Sequence, residues 1–345
     1  MVKPINFVRS MILRSVADHP TDLVTHTART FGMTRMGAHK HVARLVAEGQ
    51  LVKQGRAKGT RYELAKIAER MGVVDITPET QDDTVWTEVI EPLLAGIPEN
   101  VRYICYYGFT EMFNNVIDHS ESDRCLYHLV RTPVSITFTI HDYGVGIFDK
   151  IAKHFNLSSR RHAILELSKG KLTSFPERHS GEGIFFTSRM FDNFVLLSQD
   201  LFYQRKREEN AEWLIESDES KNWQEGTVVR MSIAANTTRK ANDVFLEHMD
   251  DDAGFSRTHV PMTLAKLGEG SFVSRSQAKR VLARFEKFSE VFLDFRNVDE
   301  IGQAFADEIF RVYAKSHPGT QIVYVNANPD VERMIQHAKR NAADG

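Results

Sequence analysis

Cysteine is nearly absent: Cys105 and Cys125 are the only two in 345 residues. Two such residues support neither a disulfide framework nor a zinc-ligand spacing, so free thiols in a reducing cytoplasm are expected. Long apolar runs are missing as well. No stretch approaches the roughly 20 residues of a membrane-spanning helix, and the opening Met1-Val2-Lys3-Pro4 lacks a signal-peptide pattern. Nor is there a large excess of one charge, the formal total being −2. What is present is a composition 42% hydrophobic and 26% charged, enough to bury a sizeable core across two or three domains. The small total conceals an asymmetry. Up to Lys66 there are 12 Lys and Arg against 4 Asp and Glu, and the remainder carries 32 against 42. A basic head on an acidic body suits a polyanionic partner for the head.

Within the head, apolar spacing predicts a helix over Asn6–Asp18, with Phe7, Met11, Ile12 and Val16 on one side. His19-Pro20 stops it and Thr21 can cap a second helix, Leu23–Thr30. Thr34 caps a third, Arg35–Glu48, whose apolar face is Ala38, Val42, Leu45 and Val46. Gly49 ends it, and two short strands follow, Leu51–Gln54 and Thr60–Leu64, around the basic tip Gly55-Arg56-Ala57-Lys58-Gly59. This order resembles a winged helix-turn-helix domain. The resemblance implies double-stranded DNA as partner. Arg35, Met36, His39, Lys40 and Arg44 on the third helix would reach base edges, and Arg56 and Lys58 would meet phosphate. A winged helix used for protein contacts is the alternative, which the basic balance disfavours. His39 and His41 have no partner cluster and read as polar-face residues.

The body is organised around Glu111-Met-Phe-Asn-Asn115-Val-Ile-Asp118-His119-Ser120, the middle of a long helix that starts near Pro98. Glu111 and Asn115 are four apart and share a face. Asp118 and His119 lie a turn beyond, on or near that face. Such a polar set suits a metal-bound polyphosphate better than a core, since Asn115 offers an oxygen to Mg²⁺ and Glu111 can take a proton from water. Downstream, Ser135–Ile140 alternates as a strand and leads into Asp142-Tyr143-Gly144-Val145-Gly146-Ile147, a tight turn with an acceptor at its mouth. Gly181-Glu182-Gly183 runs into an apolar helix, a geometry whose backbone N–H groups suit phosphate. Glu225-Gly226-Thr227 opens a further strand.

Taken in this order, Glu-x-x-x-Asn-x-x-Asp-His, Asp-x-Gly-x-Gly, Gly-x-Gly and Gly-Thr resemble the GHKL, or Bergerat-fold, ATPases, over Glu111–Ile233. The resemblance implies ATP and Mg²⁺ as cofactors. Glu111 would activate water and Asn115 would ligate Mg²⁺, with Asp118 and His119 beside the nucleotide. Asp142 would bind the adenine amine. Gly144, Gly146, Ile147, Gly181, Glu182 and Gly183 would line the ligand, and Thr227 would back the adenine pocket. Phe148–Arg178 would be the lid, rich in Lys153, Arg160, Arg161, Lys169, Lys171 and Arg178. Arg178, which abuts the second glycine loop, is the favoured phosphate contact.

The tail alternates strands and helices: strands near Thr258–Ala265, Val291–Phe295 and Gln321–Val325, and helices near Ser276–Phe288, Ile301–Ala314 and from Pro329. It resembles a STAS-like domain. The place where antagonists of related fold carry a serine reads Asp299-Glu300-Ile301-Gly302 here.

The expected architecture is therefore multidomain α+β. A winged helix over 1–66 precedes a connector over 67–83, with a short helix Lys66–Met71 ended by Gly72. An α/β-sandwich GHKL domain spans 84–235, a polar linker 236–253, and a STAS-like α/β domain 254–345. The leading functional expectation is a cytoplasmic, ATP-binding and ATP-hydrolysing DNA-binding regulator, with a homodimer and a protein partner at the tail both open, and no membrane contact. The alternatives are a serine kinase acting on a STAS-like partner and a nucleotide-sensing scaffold without turnover. No His lies between Ala65 and Glu111, which argues against a histidine kinase.

Overall fold

A computed structural model of the chain describes residues 5–172, 181–208, 211–216, 225–250, 254–265 and 272–343. It is mixed α/β, and its described strands form a two-stranded, a seven-stranded and a three-stranded sheet.

Helices α1 (Ile5–Ser15), α2 (Leu23–Phe31) and α3 (Arg35–Ala47) precede strands β1 (Leu51–Gln54) and β2 (Arg61–Leu64), which pair antiparallel. Thr34 caps α3, its hydroxyl accepting from the Gly37 N–H at 3.1 Å. The second helix starts from Asp22 rather than Thr21, without a side-chain cap. Val8, Ile12, Val16, Leu23, Val42, Leu45, Leu51 and Tyr62 bury against one another as a core of their own.

The expected connector departs from the sequence reading. Residues Ala68–Asp75 are not a helix but strand β3, an edge of the large sheet. It pairs antiparallel with β4 (Arg124–Arg131), from Ala68 opposite Arg131 to Asp75 opposite Arg124. Gly72 does not end a helix. It sits under the Tyr127 ring, where a Cβ would collide. Pairing with β4 has overridden weak local propensity.

After α4 (Asp82–Val85), a π-turn over Trp86–Ile90 and a 3-10 turn over Glu91–Leu94, Pro98 caps α5 (Glu99–Asn115). A second π-turn, Val116–Ser120, extends α5. Next come β5 (Ser135–Asp142), α6 (Ile147–His154), α7 (Arg160–Lys169), α8 (Gly183–Met190), β6 (Asn193–Ser198), β7 (Leu201–Lys206), β8 (Ala211–Glu216), β9 (Val228–Ala234) and α9 (Ala241–His248). The sheet order is β3-β4-β5-β9-β6-β7-β8, with every neighbouring pair antiparallel. Inward positions alternate along the strands: Cys125, Tyr127 and Leu129 on β4, and Ile136, Phe138 and Ile140 on β5. The next inward position on β5 is Asp142, a carboxylate where the pattern otherwise places hydrocarbon. Residues 236–253 were expected to be linker, yet they contain α9. Its Ala241 and Val244 are buried, and it packs on α5 and α8, because an apolar face survives among the acidic residues.

The C-terminal part begins with β10 (Arg257–Pro261), then α10 (Arg275–Leu282), β11 (Glu290–Asp294), α11 (Gln303–Asp307), a π-turn over Glu308–Tyr313, α12 (Ala314–Ser316), β12 (Gln321–Val325) and α13 (Pro329–Ala343). The three strands are parallel, in the order β10-β11-β12, so helices must return the chain between them. The capping box of α10 rests on Ser274 and Gln277. One continuous hydrophobic core runs from Trp86 and Phe109 through Phe186 to Val291 and Phe305, spanning the large sheet and the C-terminal part.

Candidate functional site

A cavity of about 290 Å³ opens between α5, the β5–α6 turn, α6, the end of α7 and the start of α8. Glu111 and Asn115 line it from α5, and His119 and Ser120 from the π-turn. Glu111, Asn115 and His119 are spaced by four. A π-turn takes about 4.4 residues per revolution, so the face is carried on to His119. Asp118, by contrast, is exposed and is not among the residues that line the cavity. Ser120 closes the turn, its hydroxyl donating to the Val116 carbonyl at 2.7 Å.

Asp142 lines the cavity and is 6% exposed. Its Oδ1 accepts from the Gly144 N–H at 3.0 Å and the Thr227 N–H at 3.2 Å. Burial pushes its carboxyl above the usual range, and the two N–H groups pull against that rise. Thr227, also buried in the wall, accepts at its hydroxyl from the Ile147 N–H at 2.9 Å. Gly146 and Ile147 line the cavity where α6 begins, and Gly146 has φ 79°, open to glycine without strain. Gly144 is not part of the wall. It lies behind it, where a Cβ would strike the Ser120 carbonyl, so its smallness lets the turn seat on the end of the π-turn.

The opposite wall holds Gly181, Gly183 and Ile184. A Cβ on Gly183 would collide with the Glu111 carboxylate, so the start of α8 rests directly on that side chain. Glu182 lies outside the cavity lining. Burial, with the charges of Asp82 and Glu182, raises the Glu111 carboxyl above its ordinary value, opposed by a hydrogen bond from Tyr107. A carboxylate that burial makes more basic, standing in a cavity, has the chemistry of a general base.

Lys150 and His154, four apart on α6, also line the cavity, as do Phe155, Leu167 and Leu172. None was singled out from sequence. The i, i+4 spacing of two basic residues just after Asp-x-Gly-x-Gly was the available signal. The Lys150 ammonium donates to the His119 carbonyl at 2.6 Å and reaches Glu121 at 3.0 Å. Arg178 lies outside the described residues, as do His179 and Ser180. Two other expected lid cations point elsewhere. Lys169 is wholly buried against Glu166, and Lys171 donates to the Lys287 carbonyl at 2.8 Å. The apolar surroundings of α7 explain this: a charge there needs a partner more than it needs solvent.

On the N-terminal unit, Arg35, Met36, His39, Lys40, Arg44 and Arg56 are all exposed, with Met36 73% accessible. Arg44 is tied to Glu48 at 2.9 Å, and Arg9 reaches the same carboxylate. The Lys58 side chain lies outside the described ones. Among the described residues no group of three or more His, Cys, Asp or Glu is placed to hold a metal, and no helix is long and apolar enough to cross a membrane.

Residues 277–332 match a family described as a STAS-like domain of unknown function (DUF4325). The C-terminal part is thus STAS-like. No curated protein matches the chain.

Proposed function

We propose that the chain is a cytoplasmic ATP-binding regulator in which a GHKL-type domain over 84–235 governs a winged helix-turn-helix over 1–66, with the STAS-like unit over 254–345 as its neighbour. One observation carries this reading. Stretches separated by up to about a hundred residues contribute Glu111, Asn115, Asp142, Gly181, Gly183 and Thr227 to a single cavity. Asp142, with Oδ1 already satisfied by backbone, would accept the exocyclic amine of adenine at Oδ2. Such a charge-assisted bond contributes about 1.5–3 kcal/mol.

The residues present also fit Mg²⁺. The Asn115 amide nitrogen lies 4.0 Å from the Met112 sulfur, which leaves its oxygen for a hard cation shared with the phosphates. Bound there, the ion would supply neutralisation of phosphate charge. Glu111 would orient a water and accept its proton as that oxygen bonds to the terminal phosphorus, releasing ADP and phosphate. Lys150 would sit beside the anionic end of the ligand. The exposed basic residues of α3 and Arg56 would meet double-stranded DNA.

Thermal unfolding of the full chain with Mg·ATP tests the reading. At a hundredfold excess over the dissociation constant the fold should gain about 2.7 kcal/mol. Asp142→Asn, which turns an acceptor partly into a donor facing the adenine amine, should lose most of that gain. A parent protein that gains nothing overturns the proposal. Duplex binding that is indifferent to Mg·ATP would remove its regulatory half.

A further inference from the structure

The wall of the cavity formed by Leu167, Leu172 and Gly181 is backed by charged groups that its chemistry does not use. Glu166 is 1% exposed and Lys169 fully buried, and their side chains meet at 2.5 Å. Around them the STAS-like unit closes a set of bonds to the end of α7. The Lys169 ammonium donates to the Ala283 carbonyl at 2.9 Å, and the Thr258 hydroxyl donates to the Lys169 carbonyl at 2.7 Å.

Arg284 makes most of these bonds. Its guanidinium donates to the Glu166 carboxylate at 2.9 Å, to the Gly170 carbonyl at 2.7 Å, and to the Lys171 carbonyl. Those carbonyls belong to the end of α7 and the residues just after it, which have no partner within the helix. The guanidinium carbon also stands 5.9 Å from the centroid of Phe155, a ring of the cavity wall. The side chain is only 14% exposed, and its backbone is held at φ 65°, a left-handed conformation that non-glycine residues seldom adopt. Directly after the gripped carbonyls, the Leu172 N–H donates to the Gly181 carbonyl at 3.1 Å, and both residues line the cavity.

We infer that Arg284, supplied by the STAS-like unit, is a positioning residue of the nucleotide site. It fixes the exit of α7 and, through the Leu172–Gly181 pair, sets the wall that faces the phosphate end of the ligand. The inference rests on the reading that the cavity takes ATP. It makes the C-terminal unit a structural part of that site. Because coupling between two sites is reciprocal, ATP binding and the seating of the C-terminal unit strengthen each other.

The test compares Mg·ATP and adenosine binding by calorimetry on the full chain, for the parent, Arg284→Gly and Arg284→Lys. Glycine suits the left-handed turn, so Arg284→Gly removes the side chain without stressing the backbone. It should weaken Mg·ATP about tenfold while adenosine binding, held by Asp142 and Thr227, stays within about twofold. Guanidinium ion at low millimolar concentration should restore part of the Mg·ATP affinity. Arg284→Lys, which keeps the charge beside Glu166 but cannot span the carbonyls, should fold like the parent and still lose about fivefold for Mg·ATP. If Arg284→Gly does not fold, the lysine variant decides. Equal loss for ATP and adenosine, or no loss in a folded variant, overturns the inference. A parent that binds neither ligand overturns the ATP reading itself, and the inference with it.

Discussion

The two ends of the chain join the central sheet in different ways. The N-terminal unit keeps its own core, and the residues linking it to the sheet are few. Ala65–Ile67 separate β2 from β3, the Ile67 N–H donates to the Arg131 carbonyl at 2.8 Å, and Val134 packs against the small core from outside. The C-terminal unit shares one continuous core with the sheet, and its Arg284 joins Glu166 and Lys169 of α7 in a buried ionic joint. Hydrocarbon contacts hold a joint but tolerate small slides. Buried charges do not, since displacing one strands its partner without water. The C-terminal joint is therefore all-or-none, whereas the N-terminal unit is tied to the sheet mainly through the backbone of β3 and β4.

The largest test of that contrast is Glu166→Ala. It leaves Lys169 and Arg284 buried without the carboxylate they share, and should cost about 3–5 kcal/mol in a urea titration. A cost below about 1 kcal/mol would mean that water reaches the joint and that the contrast is wrong.

Acid should loosen the same side of the molecule, through Glu166 in the joint and through His248 on α9, whose ring packs on Phe255. Burial pushes the Glu166 carboxyl up, but His162, Lys169 and Arg284 outweigh it and hold it at about 2. Burial, with Arg189 nearby, pushes the His248 imidazole down to about 3. Both groups bind protons more readily when unfolded, so their contributions are complete at high pH and fall as pH drops. The loss should begin below His248's ordinary 6.5, steepen below Glu166's ordinary 4.5, and be complete near 2. Tryptophan fluorescence against pH, with His248→Gln as comparison, reports the upper part of that window. A flat profile from pH 7 to 4 would refute it.

The smallest expected effect lies at the other end. Thr34→Ala removes the α3 cap, and should cost the N-terminal unit about 1 kcal/mol. Calorimetric scans should show that loss in a transition separate from the main one, with the Mg·ATP gain unchanged. A main transition shifted by the same amount would show that the two cores unfold together.

Much of this arrangement was legible in the chain itself. The three N-terminal helices and the hairpin emerged within a few residues, because apolar spacing, Thr34 and Gly49 act locally. The polar boxes stood out because carboxylates and an amide interrupt an otherwise apolar helix and strand, and the structure brings Glu111, Asn115 and Asp142 to one cavity. What escaped were features set by distant partners. Strand β3 depends on β4 for its register, β4, β7 and β8 mix charge with apolar residues, and β6 is a short apolar run without polar alternation. The π-turn that moved His119 into the cavity and Asp118 out of it has no local signature. Lys169 read as a solvated lid cation, since nothing in its neighbourhood announces Arg284 more than a hundred residues on.

The bridge between β2 and β3 has a mechanical consequence. Three residues can reach no farther than about 10 Å even when fully stretched, and Ile67 is already bonded across to Arg131. Such a bridge works as a pivot, not as a leash: it lets the head tilt against the sheet's outer rim but pays out no distance between them.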